Sequence, residues 1–209
     1  TAVLCARPGC ALLLDCATEE IRHIPIKLPG MLFAVFDTGV RHQLAAGEYN
    51  KRRAECEQAA RRLGVKFVSR VTVPLVLRRG HLLTAGQARR VRHVLTENLR
   101  TAQFAAALRA GDAATLGPLL NQSHCSLRDE YEVSCRELDV LQEILTAQHG
   151  VAGARMMGGG FGGSVIALAT ERDFPRVCAA TARLYRKATG KRTTGLPLHP
   201  GGGAEVRTL

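Results

Sequence analysis

The sequence predicts an α+β fold, in which strands and long helices are mixed without regular alternation. Three observations lead to this prediction. Short apolar runs bounded by glycine and proline are typical of buried strands, two long stretches open with a helix capping box, and the order of elements lacks the alternation of a doubly wound sheet. The 209 residues, 46% of them hydrophobic, suffice for one domain or for one large and one partial domain.

The N-terminal third contains two predicted strands and one predicted helix. The runs CALLLDC (residues 10–16) and MLFAVFDTG (residues 31–39) read as buried strands, separated by prolines and a glycine that mark a possible domain crossing. From Glu48 to Leu63 the apolar spacing becomes helical, and Gly64 is well placed to end that helix.

The first capping box opens the longest predicted helix. Thr84 and Gln87 have the spacing at which a side-chain hydroxyl and a side-chain amide satisfy each other's backbone N–H groups. The helix is expected to run through Ala110, and Gly111 is expected to close it.

The second capping box begins the C-terminal elements. Ser134 with Glu137 is predicted to open a helix that ends at Gly150, and residues 161–169 are predicted to form a strand. Asp173 is then predicted to cap a helix that extends through Ala188.

The net charge of +11 raises the question of a polyanionic partner. Only 4% of the residues are aromatic, so a base-stacking surface is not expected, and the basic residues are spread along helices. We therefore expect no nucleic-acid partner and assign most of these side chains to solvated helix faces. The helical basic residues are Arg52, Arg53, Arg61, Arg62, Arg89 and Arg90.

The remaining composition indicates a cytoplasmic protein without a membrane span. No apolar run reaches the length that crosses a bilayer, and the N-terminus lacks the pattern of a secretory signal. The seven cysteines include no C-x-x-C pair and have no suitably spaced histidine partners. We expect reduced thiols and no metal site in this chain.

A glycine cluster in the stretch ARMMGGGFGGSVIALA is the strongest local signal. It comprises Gly158, Gly159, Gly160, Gly162 and Gly163. Such a cluster can turn several N–H groups toward one anion, or it can form a flexible turn or a close packing contact. The pattern is neither a Walker loop nor a dinucleotide fingerprint, because it lacks the Gly-Lys-Ser/Thr ending and precedes a strand.

Three motifs in order resemble the C-terminal half of a galactokinase, a member of the GHMP group of small-molecule kinases. GARMMGGGFGGSVIAL is similar to the third motif of that group, GVRHQLAAGEYNKRRAECEQAARRLG is similar to the galactokinase stretch around V-R-H and S-E-Y, and SHCSLRDEYEVSCRELD matches a further galactokinase pattern. The resemblance implies a GHMP kinase C-terminal domain at residues 30–209 and a remnant of the N-terminal domain at residues 1–29.

The resemblance also implies roles for individual residues. The five glycines of the cluster would lie at the cleft where nucleotide and sugar meet, and Tyr49 would hydrogen-bond the sugar. Without the resemblance, Tyr49 would be read as a core aromatic at the start of a helix. The family serine before Glu-Tyr is Gly47 in this chain, and Arg136 replaces a family proline.

Four further residues match the family motifs and are expected to support the structure. They are Arg41, His42, His124 and Asp129. When the strand at residues 10–16 is aligned with the corresponding strand of the family, the catalytic aspartate falls immediately before Thr1. The resemblance therefore assigns no catalytic residue within the chain.

The resemblance implies ATP and Mg²⁺ as requirements of the complete enzyme, with galactose as the second substrate and the N-terminal half of the kinase as a partner. The chain alone is expected to be inactive. Two alternatives remain open, namely a non-catalytic sugar-sensing or regulatory module and a kinase for N-acetylgalactosamine.

Overall fold

A computed structural model describes residues 2–41 and 45–204. The helices are α1 (Ala2–Cys5), α2 (Ala45–Leu63), α3 (Val73–Arg79), α4 (Ala85–Ala110), α5 (Ala113–Asp129), α6 (Arg136–Thr146) and α7 (Phe174–Thr189). The strands are β1 (Cys10–Leu14), β2 (Ile21–Pro25), β3 (Met31–Asp37), β4 (Val151–Met157), β5 (Ser164–Thr170) and β6 (Gly195–Pro197). His42 lies outside the described residues.

The strands form two antiparallel sheets. A four-stranded sheet has the order β4-β5-β3-β6, so that β4 and β6 are its edges, while β1 and β2 form a separate two-stranded hairpin. Strand β3 pairs with β5 along its whole length, from Met31 opposite Thr170 to Asp37 opposite Ser164. The mixed order of helices and strands confirms the predicted α+β class.

The main core lies between one face of the four-stranded sheet and the helices α6 and α7. Alternate residues of β3, including Ala34 and Phe36, point into this core, as expected when one face of a strand is buried. A second cluster joins Ile24 and Leu28 of the hairpin region to the C-terminal end of α4 and to α5. The same cluster includes Leu168 of β5, so the hairpin packs against the helical layer and against the larger sheet.

Several predicted elements are confirmed. The strands over residues 10–16 and 31–39 correspond to β1 and β3, and the helix predicted from Glu48 corresponds to α2, with Gly64 at φ +75° directly after its end. Thr84 and Gln87 form both hydrogen bonds of a capping box at the start of α4. Gly111 closes α4 in the left-handed conformation that glycine adopts without strain.

The second predicted capping box is wrong. The N-cap of α6 is Cys135, and no side chain caps this end of the helix. The Ser134 hydroxyl donates instead to Asp139 Oδ1 at 2.5 Å. The helix ends at Thr146 and not at Gly150, because the chain turns there into β4.

The structure corrects three other expectations. Residues 151–157, for which no strand was predicted, form strand β4. Asp173 occupies the predicted N-cap position of α7, but its carboxylate accepts from the Thr170 hydroxyl and makes no cap hydrogen bond. Arg52 and Arg90 are buried and not on solvated faces, because Glu55 and Glu132 pair with both of them.

Candidate functional site

The glycine cluster forms the connection between β4 and β5, which we call the glycine loop (residues 158–163). Gly158, Gly160, Gly162 and Gly163 all have positive φ angles, between 78° and 139°. Phe161 also lies at φ +58°, a conformation that a side chain other than glycine adopts only at a cost. The loop therefore needs glycine at these positions to follow its path.

Hydrogen bonds from neighbouring segments fix the second half of the glycine loop. The Phe161 N–H donates to the Val133 carbonyl oxygen at 2.7 Å, and the Gly163 N–H donates to Val40 O at 3.0 Å. The Gly163 carbonyl accepts from both the N–H and the hydroxyl of Thr38, at 2.9 Å and 2.6 Å. Thr38 is fully buried, and Tyr185 Oη donates to its carbonyl at 2.9 Å.

The glycines of the loop differ in the space around them. A Cβ atom added to Gly160 would lie 2.1 Å from Val133 O, so this glycine is required by a close backbone contact. No atom lies within 4 Å of a Cβ placed on Gly158, Gly159 or Gly163. These three glycines thus face open space in the chain as it stands.

The first half of the loop leaves N–H groups available to a ligand. Within the described residues, the N–H groups of Phe161 and Gly163 donate hydrogen bonds to backbone carbonyls of other segments. The amides of Gly158, Gly159 and Gly162 have no such partner there. Free amides in a chain segment with positive φ angles are a feature of backbone anion sites.

Tyr49 lies in the second turn of α2 and is 56% exposed. It borders a groove of about 820 Å³ whose walls also include Cys56, Phe67 and Tyr131. Burial raises the pKa values of the Cys56 thiol and the Tyr131 hydroxyl, whose atoms are 3.8 Å apart, so both remain protonated at neutral pH. Tyr49 presents its ring to a groove and is not a core residue.

The structure does not bring Tyr49 and the glycine loop into one cavity. Gly158 borders a different cavity, of about 900 Å³, with mainly apolar walls that include Phe33 and Phe104. The two features are connected through residues 130–134, since Tyr131 forms part of the Tyr49 groove and Val133 accepts the Phe161 N–H.

A buried ion-pair network holds residues 130–134 in place. Arg90, only 1% exposed, donates to Glu55 Oε2 at 2.7 Å, to Glu132 Oε2 at 2.6 Å and to the Glu130 carbonyl. Arg52 adds contacts to Glu55 at 3.0 Å and to Glu132 at 3.6 Å. The hydrogen bond from Arg90 lowers the pKa of Glu132 more than burial raises it. This carboxylate therefore stays charged at neutral pH.

The other motif residues have different surroundings. Arg41 is exposed and contacts Asp37 at 2.6 Å, and Asp129 is exposed and pairs with the adjacent Arg128 at 2.7 Å. His124 is fully buried, with Nδ1 accepting from the Met156 N–H at 3.1 Å.

Sequence reasoning missed the residues that shape the loop from outside. Thr38, Val133 and Tyr185 contact the loop or its anchor, although none of them lies near it in sequence. The one local signal was Asp-Thr-Gly at the end of β3, a common way to leave a strand.

Two features are absent from the described residues. In residues 2–41 and 45–204, no three or more histidine, cysteine, aspartate or glutamate side chains are grouped to hold a metal ion. No helix within the same ranges has the length and apolar character to cross a membrane.

Comparison with known proteins relates these features to one group of kinases. Residues 104–187 match the family model described as GHMP kinases C terminal. The chain is 42% identical over 180 residues to a galactokinase of Thermotoga petrophila, covering 86% of this chain and 50% of that protein. It is 46% identical over 165 residues to the galactokinase of Homo sapiens, covering 79% of this chain and 42% of that protein.

The fold agrees with the sequence likeness. The crystal structure of Lactococcus lactis galactokinase complexed with galactose superposes with a TM-score of 0.89 at 32% identity, over 94% of this chain and 52% of that one. The chain therefore spans about half the length of the relatives that it matches.

Proposed function

We propose, on the premise that this chain carries the C-terminal domain of the GHMP kinases, that it supplies one half of a galactokinase. The reaction would transfer the γ-phosphoryl group of ATP to galactose and give galactose 1-phosphate. The observation that carries this proposal is the likeness to galactokinases in both sequence and fold over most of the chain.

The glycine loop is proposed to contact the nucleotide phosphates. Its free amides at Gly158, Gly159 and Gly162 would donate to phosphate oxygens, which need donors but no charged side chain in such a site. The open space beside Gly158 and Gly159 is consistent with close approach of a ligand. Phosphoryl transfer depends mainly on positioning and on stabilisation of the developing charge, and a rigidly anchored loop suits that role.

Tyr49 is proposed to bind galactose through its hydroxyl group. The exposed ring and the adjoining groove leave this hydroxyl accessible. The separation of the Tyr49 groove from the glycine loop is understandable if the N-terminal half of the kinase completes the cleft between them.

The catalytic aspartate is proposed to come from that N-terminal half. Asp37 and Asp129 of this chain are poor candidates for a catalytic base. A hydrogen bond from Arg41 lowers the pKa of Asp37, and a hydrogen bond from Arg128 lowers the pKa of Asp129. ATP and Mg²⁺ are proposed as requirements of the complete enzyme.

The domain boundary is proposed at residues 29 and 30. The β1–β2 hairpin forms its own sheet, and the four-stranded sheet begins with β3 at Met31. This division supports residues 1–29 as a piece of the N-terminal domain and residues 30–209 as the C-terminal domain.

Co-expression with the N-terminal half of a galactokinase tests the proposal. We expect the chain alone to release no ADP above background, and the combined halves to release ADP when both ATP and galactose are supplied. Faster turnover with N-acetylgalactosamine would identify the alternative sugar kinase. A combined complex that binds galactose without turnover would favour the sugar-sensing alternative and contradict the enzymatic one.

A further inference from the structure

We propose that side chains of α5 and α6 bind the outer edge of β4 and thereby position the glycine loop. His124 is the residue that links these helices to the loop. Only the kinetic effect expected from this proposal rests on the proposed function. The proposal assigns a role to the motif SHCSLRDEYEVSCRELD, which supplies neither of the proposed ligand contacts.

Strand β4 is an edge strand, so its backbone groups that point away from β5 have no strand partner. Side chains take their place. The Ala154 N–H donates to Asn121 Oδ1 at 2.9 Å, and Gln142 Nε2 donates to the Ala154 carbonyl at 3.2 Å. Two residues further on, the Met156 N–H donates to His124 Nδ1 at 3.1 Å. These contacts follow the two-residue period of the strand.

The contact with Met156 determines the tautomer of His124. A backbone N–H can only donate, so Nδ1 accepts and the ring proton of the neutral histidine lies on Nε2. That nitrogen is 3.2 Å from Asp139 Oδ1, a close polar contact whose angles fall short of those of a hydrogen bond. The same oxygen of Asp139 accepts from the Ser134 hydroxyl at 2.5 Å. His124 thus connects β4 to the start of α6.

The connection continues to the far side of the glycine loop. Ser134 directly follows Val133, whose carbonyl accepts the Phe161 N–H at 2.7 Å and contacts the backbone of Gly160. The loop is therefore held just before its first glycine, through Met156, and again at Phe161. Both attachments meet at Ser134 and Asp139.

This arrangement determines where the free amides of the loop point. No atom lies within 4 Å of a Cβ placed on Gly158 or Gly159, so we expect their placement to depend on the attachments at either side. Loss of the His124 contact releases β4 just before these glycines. Because a small displacement of donor groups weakens phosphate binding, we expect the effect in nucleotide affinity and not in sugar affinity.

Two substitutions at one position separate the two contacts of His124. In His124→Asn, the amide oxygen can take the place of Nδ1 and accept from Met156, while the contact to Asp139 is lost. In His124→Gln, the longer side chain can place its amide nitrogen near Asp139, while the acceptor for Met156 is lost. The exposed Gln122 on the same helix provides the control Gln122→Ala.

The first measurement is steady-state kinetics of the full chain combined with the N-terminal half of a galactokinase. We expect His124→Gln to raise the KM for ATP about 2- to 10-fold above that of His124→Asn, the range that follows from losing one hydrogen bond, with the KM for galactose unchanged. Equal KM values for ATP in the two variants would overturn the proposal.

The second measurement is hydrogen exchange of residues 156–163 in the full chain, which requires no enzyme activity. We expect faster exchange in His124→Gln than in His124→Asn or Gln122→Ala, at matched melting temperatures. Exchange that is the same in all three overturns the positioning role even if the kinase is active. Faster exchange in a protein without activity would support the positioning role and contradict the proposed function.

Discussion

Gly117 of α5 and Gly153 of β4 meet with their backbones in direct contact. A Cβ atom at Gly153 would lie 2.1 Å from the Gly117 carbonyl oxygen, and one at Gly117 would lie 2.2 Å from Ala152 O. The two glycines allow α5 to lie close enough to β4 for Asn121 and His124, on the same helix, to reach its edge. The contact lies next to a bulge in β4, between Val151 and Gly153.

We predict that Gly153→Ala destabilises the protein. The added methyl group cannot fit without separating α5 from β4, and overpacking of this kind costs on the order of 1–3 kcal/mol. Urea unfolding measures the loss. Gly86→Ala in α4, where no atom lies within 4 Å of the added Cβ, should be at least as stable as the unchanged chain. Equal stability of the two variants would contradict the contact.

The glycine loop allows a test that separates packing from ligand binding. Gly159 has no positive φ angle and no neighbour within 4 Å of an added Cβ, so Gly159→Ala should keep the melting temperature. If phosphates approach this backbone, the added methyl group should raise the KM for ATP in the complete kinase. Gly160→Ala should instead lower the melting temperature, because of its contact with Val133. Unchanged kinetics in Gly159→Ala would remove that glycine from the proposed phosphate site.

Tyr49→Phe tests the proposed sugar contact. The removed hydroxyl belongs to an exposed side chain, so we expect no change in stability. Loss of one neutral hydrogen bond costs about 0.5–1.5 kcal/mol, which corresponds to a several-fold increase in the KM for galactose. The KM for ATP serves as the internal control. An equal rise in both constants would indicate a general disturbance of the site.

Glu132→Gln should destabilise the protein. The substitution removes one of the two carboxylates that pair with the buried Arg90, and because Glu132 is 37% exposed and Glu55 remains in place, we expect a loss of about 1–3 kcal/mol. Arg53→Gln, which breaks the exposed pair between Arg53 and Glu57, should cost less than about 1 kcal/mol. Thermal unfolding of both variants at neutral pH compares them, and similar losses would mean that the network contributes little.

The pH dependence of stability should include a contribution from His93. Burial lowers the pKa of His93 to about 4 from an ordinary value of 6.5, and its ring stacks on Tyr131. Between pH 6.5 and pH 4 the His93 ring is protonated in the unfolded chain but stays neutral in the folded chain. The free energy of unfolding should therefore fall as the pH drops from 6.5 to 4. The slope from one proton is at most about 1.4 kcal/mol per pH unit. His93→Phe should reduce this slope, and an unchanged slope would assign it to other groups.

The sequence predicted those elements whose causes are local. The capping box of Thr84 and Gln87 and the closing Gly111 involve residues within one turn of the helix ends, and all three are in place. Arg90 was misjudged because its partner Glu132 lies 42 residues away, and an isolated arginine on a helix normally faces water.

Strand β4 illustrates the same limit for the candidate site. Its residues 151–157 carry no clear strand pattern of their own, and they are held by β5 on one side and by Asn121, His124 and Gln142 on the other. The glycine loop was visible in the sequence, whereas its attachments to Thr38 and Val133 depend on the fold. Tyr49 was assigned through family resemblance, and its role in sugar binding stays a prediction.

The occupied edge of β4 also bears on how copies of this protein behave in a crowded solution. Self-association by strand addition needs a row of free N–H and C=O groups at the border of a sheet. At β4 those of Ala154 and Met156 are already bonded to side chains, and at the opposite border β6 is three residues long and ends in Pro197, which has no N–H to offer. The polar side chains that bind the edge of β4 thus also leave few free backbone groups through which another copy could add a strand to the folded sheet.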